Sequence, residues 1–168
     1  MQQDMSSTIQ TLITALSSFN DFSRVEARKA LESMASQAVP YLIDALKHPD
    51  YLRRWEAAKA LGEIKDPRSA AALVRALEDE KFDVRWLAAR ALIEMNVKSL
   101  KALFKALIEH ADSILLRQGA HHVLHDLAKG ELRTYLVPVL LVLENLDSTQ
   151  VPAVASSALE SLEKANIL

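Results

Sequence analysis

The stretch Arg54-Trp55-Glu56-Ala57-Ala58-Lys59-Ala60-Leu61-Gly62-Glu63-Ile64-Lys65-Asp66-Pro67-Arg68 decides the fold, because the chain begins it again. From Arg85, Trp86-Leu87-Ala88-Ala89-Arg90-Ala91-Leu92 repeats Trp55-Glu56-Ala57-Ala58-Lys59-Ala60-Leu61 after 31 residues (Trp55 to Trp86). A fixed period of this length marks a repeat array. Each unit reads as two short helices, neither of which can bury its apolar stripe alone, so neighbouring units must stack.

Working outward, Arg24, Arg54, Arg85 and Arg117 stand at equivalent points, 30, 31 and 32 residues apart. Ala30-Leu31, Ala60-Leu61, Ala91-Leu92, Val123-Leu124 and Ala158-Leu159 mark one place in the first helix of each unit. Ala15-Leu16, Ala45-Leu46, Ala76-Leu77 and Ala106-Leu107 mark the end of each second helix. Alanine at these points lets helices approach closely. The spacing stretches to 35 between Arg117 and Pro152, and Lys129-Gly130-Glu131 places that insertion in a loop. Apolar periodicity predicts ten helices. Asp21 is expected to cap the second helix, Asp66 the fifth and Asp83 the sixth, with Ser99 opening the seventh. Asp112 or Ser113 opens the eighth, which ends by Gly130, and Asp147-Ser148 with Pro152 opens the tenth. The expectation is an all-α superhelix of about five helix pairs forming one domain over residues 1–168.

Composition agrees. Half of the 168 residues are apolar and 25% are charged, a globular balance, and only three glycines and five prolines leave little for hairpins. A net charge of −2 gives no electrostatic reason for nucleic-acid binding. With no cysteine there is neither a disulfide nor a thiolate metal site. The start of the chain lacks a signal-peptide pattern, and no apolar run approaches the ~20 residues that span a bilayer. A cytoplasmic protein is expected.

The segment from Trp55 to Arg68, with Asp83-Val84-Arg85, resembles the HEAT-like repeats of phycobilisome lyases and many small prokaryotic proteins. Glu56 to Ile64, Asp66-Pro67-Arg68 and Asp83-Val84-Arg85 carry the likeness, and the flanking units keep the period without Gly62 or Asp-Pro-Arg. It implies an α-solenoid whose second helices line the concave side, and a binding surface rather than one activity. In a similar repeat enzyme, deoxyhypusine hydroxylase, His-Glu pairs at the start of first helices hold two irons. Here those places read Val25-Glu26, Trp55-Glu56, Trp86-Leu87 and Gln118-Gly119, with every histidine missing, so that reading is excluded.

Four features are candidate sites. Arg68, Arg75, Lys98, Lys101 and Lys105 form a basic ladder on successive second helices, facing an acidic protein partner or simply solvent. Trp55 and Trp86, one repeat apart, are anchors for that partner or inter-repeat packing, with Arg54, Arg85 and Arg90 near enough for cation–π contact. His121 and His125 lie i, i+4 and are weak zinc or nickel candidates, surface histidines being the alternative. The helix around Leu136–Leu143 is apolar on every side and must be covered. A loop covers it, or a second copy or partner does through Val137, Leu141 and Val142. No phosphate loop and no nucleophile–base pair is present, and no cofactor is implied. The leading expectation is a non-catalytic protein-interaction scaffold. The enzymatic alternative is a chaperone-like subunit of a bilin lyase, its cations holding tetrapyrrole propionates. DNA-backbone binding fits the ladder but not the total charge.

Overall fold

Leucine and alanine at helical spacing, with few β-branched residues, make helix the cheapest state for the backbone nearly everywhere. The computed structural model describes residues 2–145 and 148–168. Helix α1 is Gln2–Ala15, α2 Asp21–Ser33, α3 Val39–Ala45, α4 Tyr51–Ile64 and α5 Ala70–Ala76. Then follow α6 (Phe82–Met95), α7 (Val97–Glu109), α8 (Ile114–Leu127), α9 (Leu132–Leu143) and α10 (Val151–Lys164). Short 3-10 turns at Ala35–Gln37 and Pro67–Ser69 lead into α3 and α5, and the described residues form no strand.

Side-chain oxygens cap several of these helices. The amides of Ser23, Leu52, Arg68 and Leu116 donate to Asn20, Asp50, Asp66 and Ser113. Two expected caps shift. Asn20, not Asp21, caps α2, and α6 begins at Phe82 with Lys81 in the cap position. Asp83 therefore lies inside the first turn, where its charge still meets the positive end of the helix. The α6–α7 connection is a single residue, Asn96, at φ +55°, so α7 begins two residues before Ser99. The hydroxyl of Ser99 donates to the Asn96 carbonyl. Asp147, the expected cap of α10, lies outside the described residues. Gly130 takes φ +55° in the α8–α9 connection, where the inserted residues fall.

First helices α2, α4, α6 and α8 stack in one layer, while α5 and α7 pack together in the second and α1 packs on α2 and α3. The recurrent leucines of both layers, Leu31, Leu61, Leu92 and Leu124 with Leu16, Leu46, Leu77 and Leu107, are all buried in one core. Each is worth about 2 kcal/mol of burial, and together they run through a continuous cluster from Ile9 to Leu162. This is an α-solenoid.

The repeat arginines hold its corners. The guanidinium Nη1 of Arg24, Arg54, Arg85 and Arg117 donates to the carbonyl of Ser18, His48, Asp79 and Ala111, six residues back in each case. These charge-assisted bonds, 2.7–2.9 Å long, satisfy carbonyls in the four loops that lead into α2, α4, α6 and α8. Helix α10 has no such arginine. The repeat frame places it beside α8, but it packs on α7 and α9 instead. No described helix is long and apolar enough to cross a membrane.

Candidate interaction surfaces

The basic ladder divides. Arg68 is held by Asp66, whose carboxylate it meets at 2.6–3.1 Å, and it also donates to the Ser36 carbonyl. That hydrogen bond from Arg68 holds the Asp66 carboxyl below its usual range, against burial. Lys101 pairs with Glu163 of α10 at 2.8 Å. Arg75, Lys98 and Lys105 are exposed on α5 and α7 and have no partner among the described residues. Of the twenty lysines and arginines, Arg133 alone shares that condition. Arg75 borders an apolar groove between α3 and α5, floored by Ile43, Leu46, Ala72 and Ala76 and shared with Lys47, Glu78 and Asp79.

The tryptophans belong to the other layer, so the structure does not bring them together with the ladder. Each carries its own cation from one turn later: Lys59 lies 5.0 Å from the Trp55 ring and Arg90 5.1 Å from that of Trp86. The expected Arg54 and Arg85 contacts are corrected. Arg54 is buried against Asp79 through a two-pronged pair at 2.7 and 3.0 Å, which raises its pKa, and Arg85 covers Phe82 instead. The two tryptophan environments differ. Trp55 is half-buried against the core, whereas Trp86 is 44% exposed.

One register position varies along the same seams. Two residues after the repeat arginine stand Glu56, Leu87 and Gly119 in successive units. Glu56, only 1% exposed, reaches back to α2, with Oε1 3.3 Å from Arg24 and Oε2 3.0 Å from Arg28 Nε. The latter contact is electrostatic, since neither atom has an aligned hydrogen bond. Leu87 fills the α4–α6 seam beside Gly62, where a Cβ would lie 3.2 Å from Ala91 Cβ. Lys65 and Arg90 both reach Glu94 there, and chiefly the Lys65 hydrogen bond holds its carboxyl below the usual range. At Gly119 there is no side chain, and the α6–α8 seam opens into a groove of ≈ 300 Å³ lined by Leu77, Phe82, Trp86, Leu115 and His122 among others.

His121 and His125 stack with ring centroids 6.0 Å apart, and His121 Nε2 lies 3.4 Å from Glu144. Among the described residues no three or more His, Asp or Glu side chains converge to hold a metal ion. On α9, Leu136, Val139, Leu140 and Leu143 are buried by α8 and α10, Val137 and Val142 are half-buried, and Leu141 is 59% exposed.

Residue-by-residue reading missed Glu56 and the α6–α8 groove. The signal is present in the pairs Trp55-Glu56, Trp86-Leu87 and Gln118-Gly119, which share one register and lose bulk from unit to unit.

A family model described as HEAT repeats matches residues 9–93. The bilin biosynthesis protein RpcF of Synechococcus sp. (strain WH8020) is 39% identical over 90 residues. That match covers 53% of this chain and 43% of the relative, so the chain corresponds to less than half of that protein's length.

Proposed function

This chain belongs to the HEAT-repeat family, and we propose that it is a non-catalytic protein-interaction module that docks an acidic partner along its second-helix layer. The observation that carries this reading is the set of unpaired cations. Nearly every lysine and arginine is bound within the chain, while Arg75, its repeat equivalent Lys105, and Lys98 on the same helix as Lys105 stand exposed with no acid partner among the described residues. A solvated surface gains little from leaving cations unpaired, but an acidic partner gains both steering and register. Capture from the native lysate by wild type and by the Arg75→Glu, Lys98→Glu, Lys105→Glu triple variant tests it. The expected result is one identified protein, acidic on its contacting face, held by wild type and lost both by the variant and in high salt. Equal retention by the variant removes the reading.

A homodimer through α9 is the second contact supported, by the exposure of Leu141 on the same helix as the half-buried Val137 and Val142. Light scattering of wild type against Leu141→Glu tests it, since a charge there halves the mass of such a dimer. Equal masses remove it.

The similarity to a protein named for bilin biosynthesis favours one other reading, a chaperone-like subunit that holds a tetrapyrrole. The groove between α3 and α5 suits it better than the α7 row, because Arg75 and Lys47 there flank an apolar floor and can meet propionates. A shift in bilin absorbance on mixing, abolished by Arg75→Glu, is its expected signature. Indifference to the bilin excludes it.

A further inference from the structure

The groove between α6 and α8 arises from two departures in the repeat register. Where α4 and α6 carry Trp55 and Trp86, α8 carries Gln118, and where they carry Glu56 and Leu87, it carries Gly119. Two bulky groups are thus missing from one side of a seam whose other side keeps its own. The floor is Leu77, Ala89 and Gly119, and the walls are Phe82 and Trp86 from α6 and Leu115 from α8. Phe82 is 66% exposed, so the core does not use it. An apolar patch that the fold leaves uncovered marks an interaction site more often than a scattered surface residue does.

Among the described residues no carboxylate lines the groove, and its ionisable side chains are Arg85 and His122. Arg85 uses Nη1 on the carbonyls of Asp79 and Glu80, which leaves Nε and Nη2 without an acceptor among the described residues. His122 occupies the register of Lys59 and Arg90, the cations that cover Trp55 and Trp86. With Gln118 in place of a tryptophan, His122 has no ring to cover and lines the groove instead. Of the acids just before α6, Asp79 is held by Arg54 and Glu78 accepts from Ser113.

We infer that this groove docks a segment of a partner protein in which a bulky aliphatic or aromatic side chain is flanked by carboxylates. The apolar side chain lies on the Leu77–Gly119 floor against the Trp86 ring, where an aromatic wall gives large contact area at low entropy cost. A flanking carboxylate meets the free edge of Arg85 or the His122 ring, and the Gln118 amide serves the segment's backbone. The surface belongs to the first-helix layer, so it is separate from Arg75, Lys98 and Lys105, and the two can bind independently.

Panning a random phage-displayed dodecapeptide library on the purified chain tests this. Enriched clones are expected to place Asp or Glu beside Leu, Phe or Trp. Their synthetic peptides are then titrated against a Trp55→Phe background, in which Trp86 is the only tryptophan and its fluorescence reports the groove. Trp86→Ala, followed by peptide anisotropy, and His122→Glu are each expected to weaken binding about tenfold or more. Lys98→Glu with Lys105→Glu leaves it unchanged. Both groove positions are exposed, and thermal melts that match wild type show that the variants fold. The inference is overturned if no clone is enriched over a control protein, if the clones lack acids, or if binding ignores both groove substitutions.

Discussion

The seams α2–α4 and α6–α8 are built at the same register position and do opposite things. Glu56 closes the first with a buried carboxylate between two arginines, and Gly119 leaves the second open. Between them, Leu87 closes α4–α6 by apolar contact, reinforced where Lys65 reaches Glu94. No ion pair joins α6 to α8 among the described residues. A solenoid needs each seam to exclude water only well enough to stack its neighbour, so stability and accessibility are set locally, one seam at a time. The lesson is that a single register position, followed along the repeats, separates structural seams from a seam free to bind.

The largest expected effect lies at the closed end. Glu56→Ala leaves Arg24 and Arg28 facing each other beside a hole. Removing one partner of a buried ion pair costs about 3 kcal/mol when burial is complete. Here Arg24 retains Asp21, Arg28 retains Glu32, and both arginines are partly wet, so about 2 kcal/mol is expected from urea denaturation. Gly119→Ser, at the same register, should cost far less. Equal losses would mean that the register position does not govern its seam.

Next comes the tryptophan pair. Trp→Ala at a fully buried site costs about 3–5 kcal/mol. Trp55 is half-buried against the core, so Trp55→Ala should cost about 2 kcal/mol, and Trp86→Ala, at an open groove, under about 1 kcal/mol. The two melting temperatures order them directly. A larger loss at Trp86 would show that the groove wall carries structure and is not free for a ligand.

Acid should act on the α4–α6 seam more than on the α6–α8 contact. Glu94 has its carboxyl held below the ordinary range, chiefly by Lys65. Asp66 is held low chiefly by Arg68, in the turn before α5. A lowered folded-state pKa adds stability that is complete above the unfolded value and is lost as pH falls through the folded one. Between about pH 5 and about pH 3, amide protection in α4 and α6 near Lys65 and Glu94 should therefore weaken. The loss per group stays under about 1 kcal/mol because both acids are partly exposed. Among the described residues the α6–α8 contact carries no comparable carboxylate, so its own acid response should be flat. A uniform loss would make the difference between seams irrelevant to acid stability.

Much of this architecture was legible before any coordinates. The period, the Arg24–Arg54–Arg85–Arg117 register and the alanine–leucine marks placed the helix pairs, because local apolar spacing and stacking demand the same answer in every unit. The cap of α2 at Asn20 was misplaced by one residue and the start of α6 at Phe82 by two, since neighbouring Asx and acidic residues compete for one turn and sequence alone does not rank them. The position of α10 was beyond the pattern. Its apolar stripe fits either layer, and only the absence of a repeat arginine hinted that it would leave the stack. The ladder was visible as charge, but its division was not, because Asp66 and Glu163 neutralise Arg68 and Lys101 through turn geometry and a contact 62 residues apart.

The smallest effect tests the comparison most finely. Gly62 and Gly119 both sit inside helices at tight approaches, where Ala gains about 1 kcal/mol of helix propensity over Gly. A Cβ at Gly62 would meet Ala91 at 3.2 Å in a seam that Lys65, Glu94 and Arg54 hold from both ends. A Cβ at Gly119 would meet Leu77 at 3.0 Å, a closer contact, but beside a groove that leaves α8 room to shift. Crowding costs about 1–3 kcal/mol where nothing yields. Gly62→Ala is therefore expected to lose about 1 kcal/mol net, and Gly119→Ala to stay within about 0.5 kcal/mol of wild type, despite its shorter distance. If the shorter distance wins and Gly119→Ala is the worse of the two, then the α6–α8 seam is as rigid as its neighbours, and the groove is a fixed cleft with no give on either side.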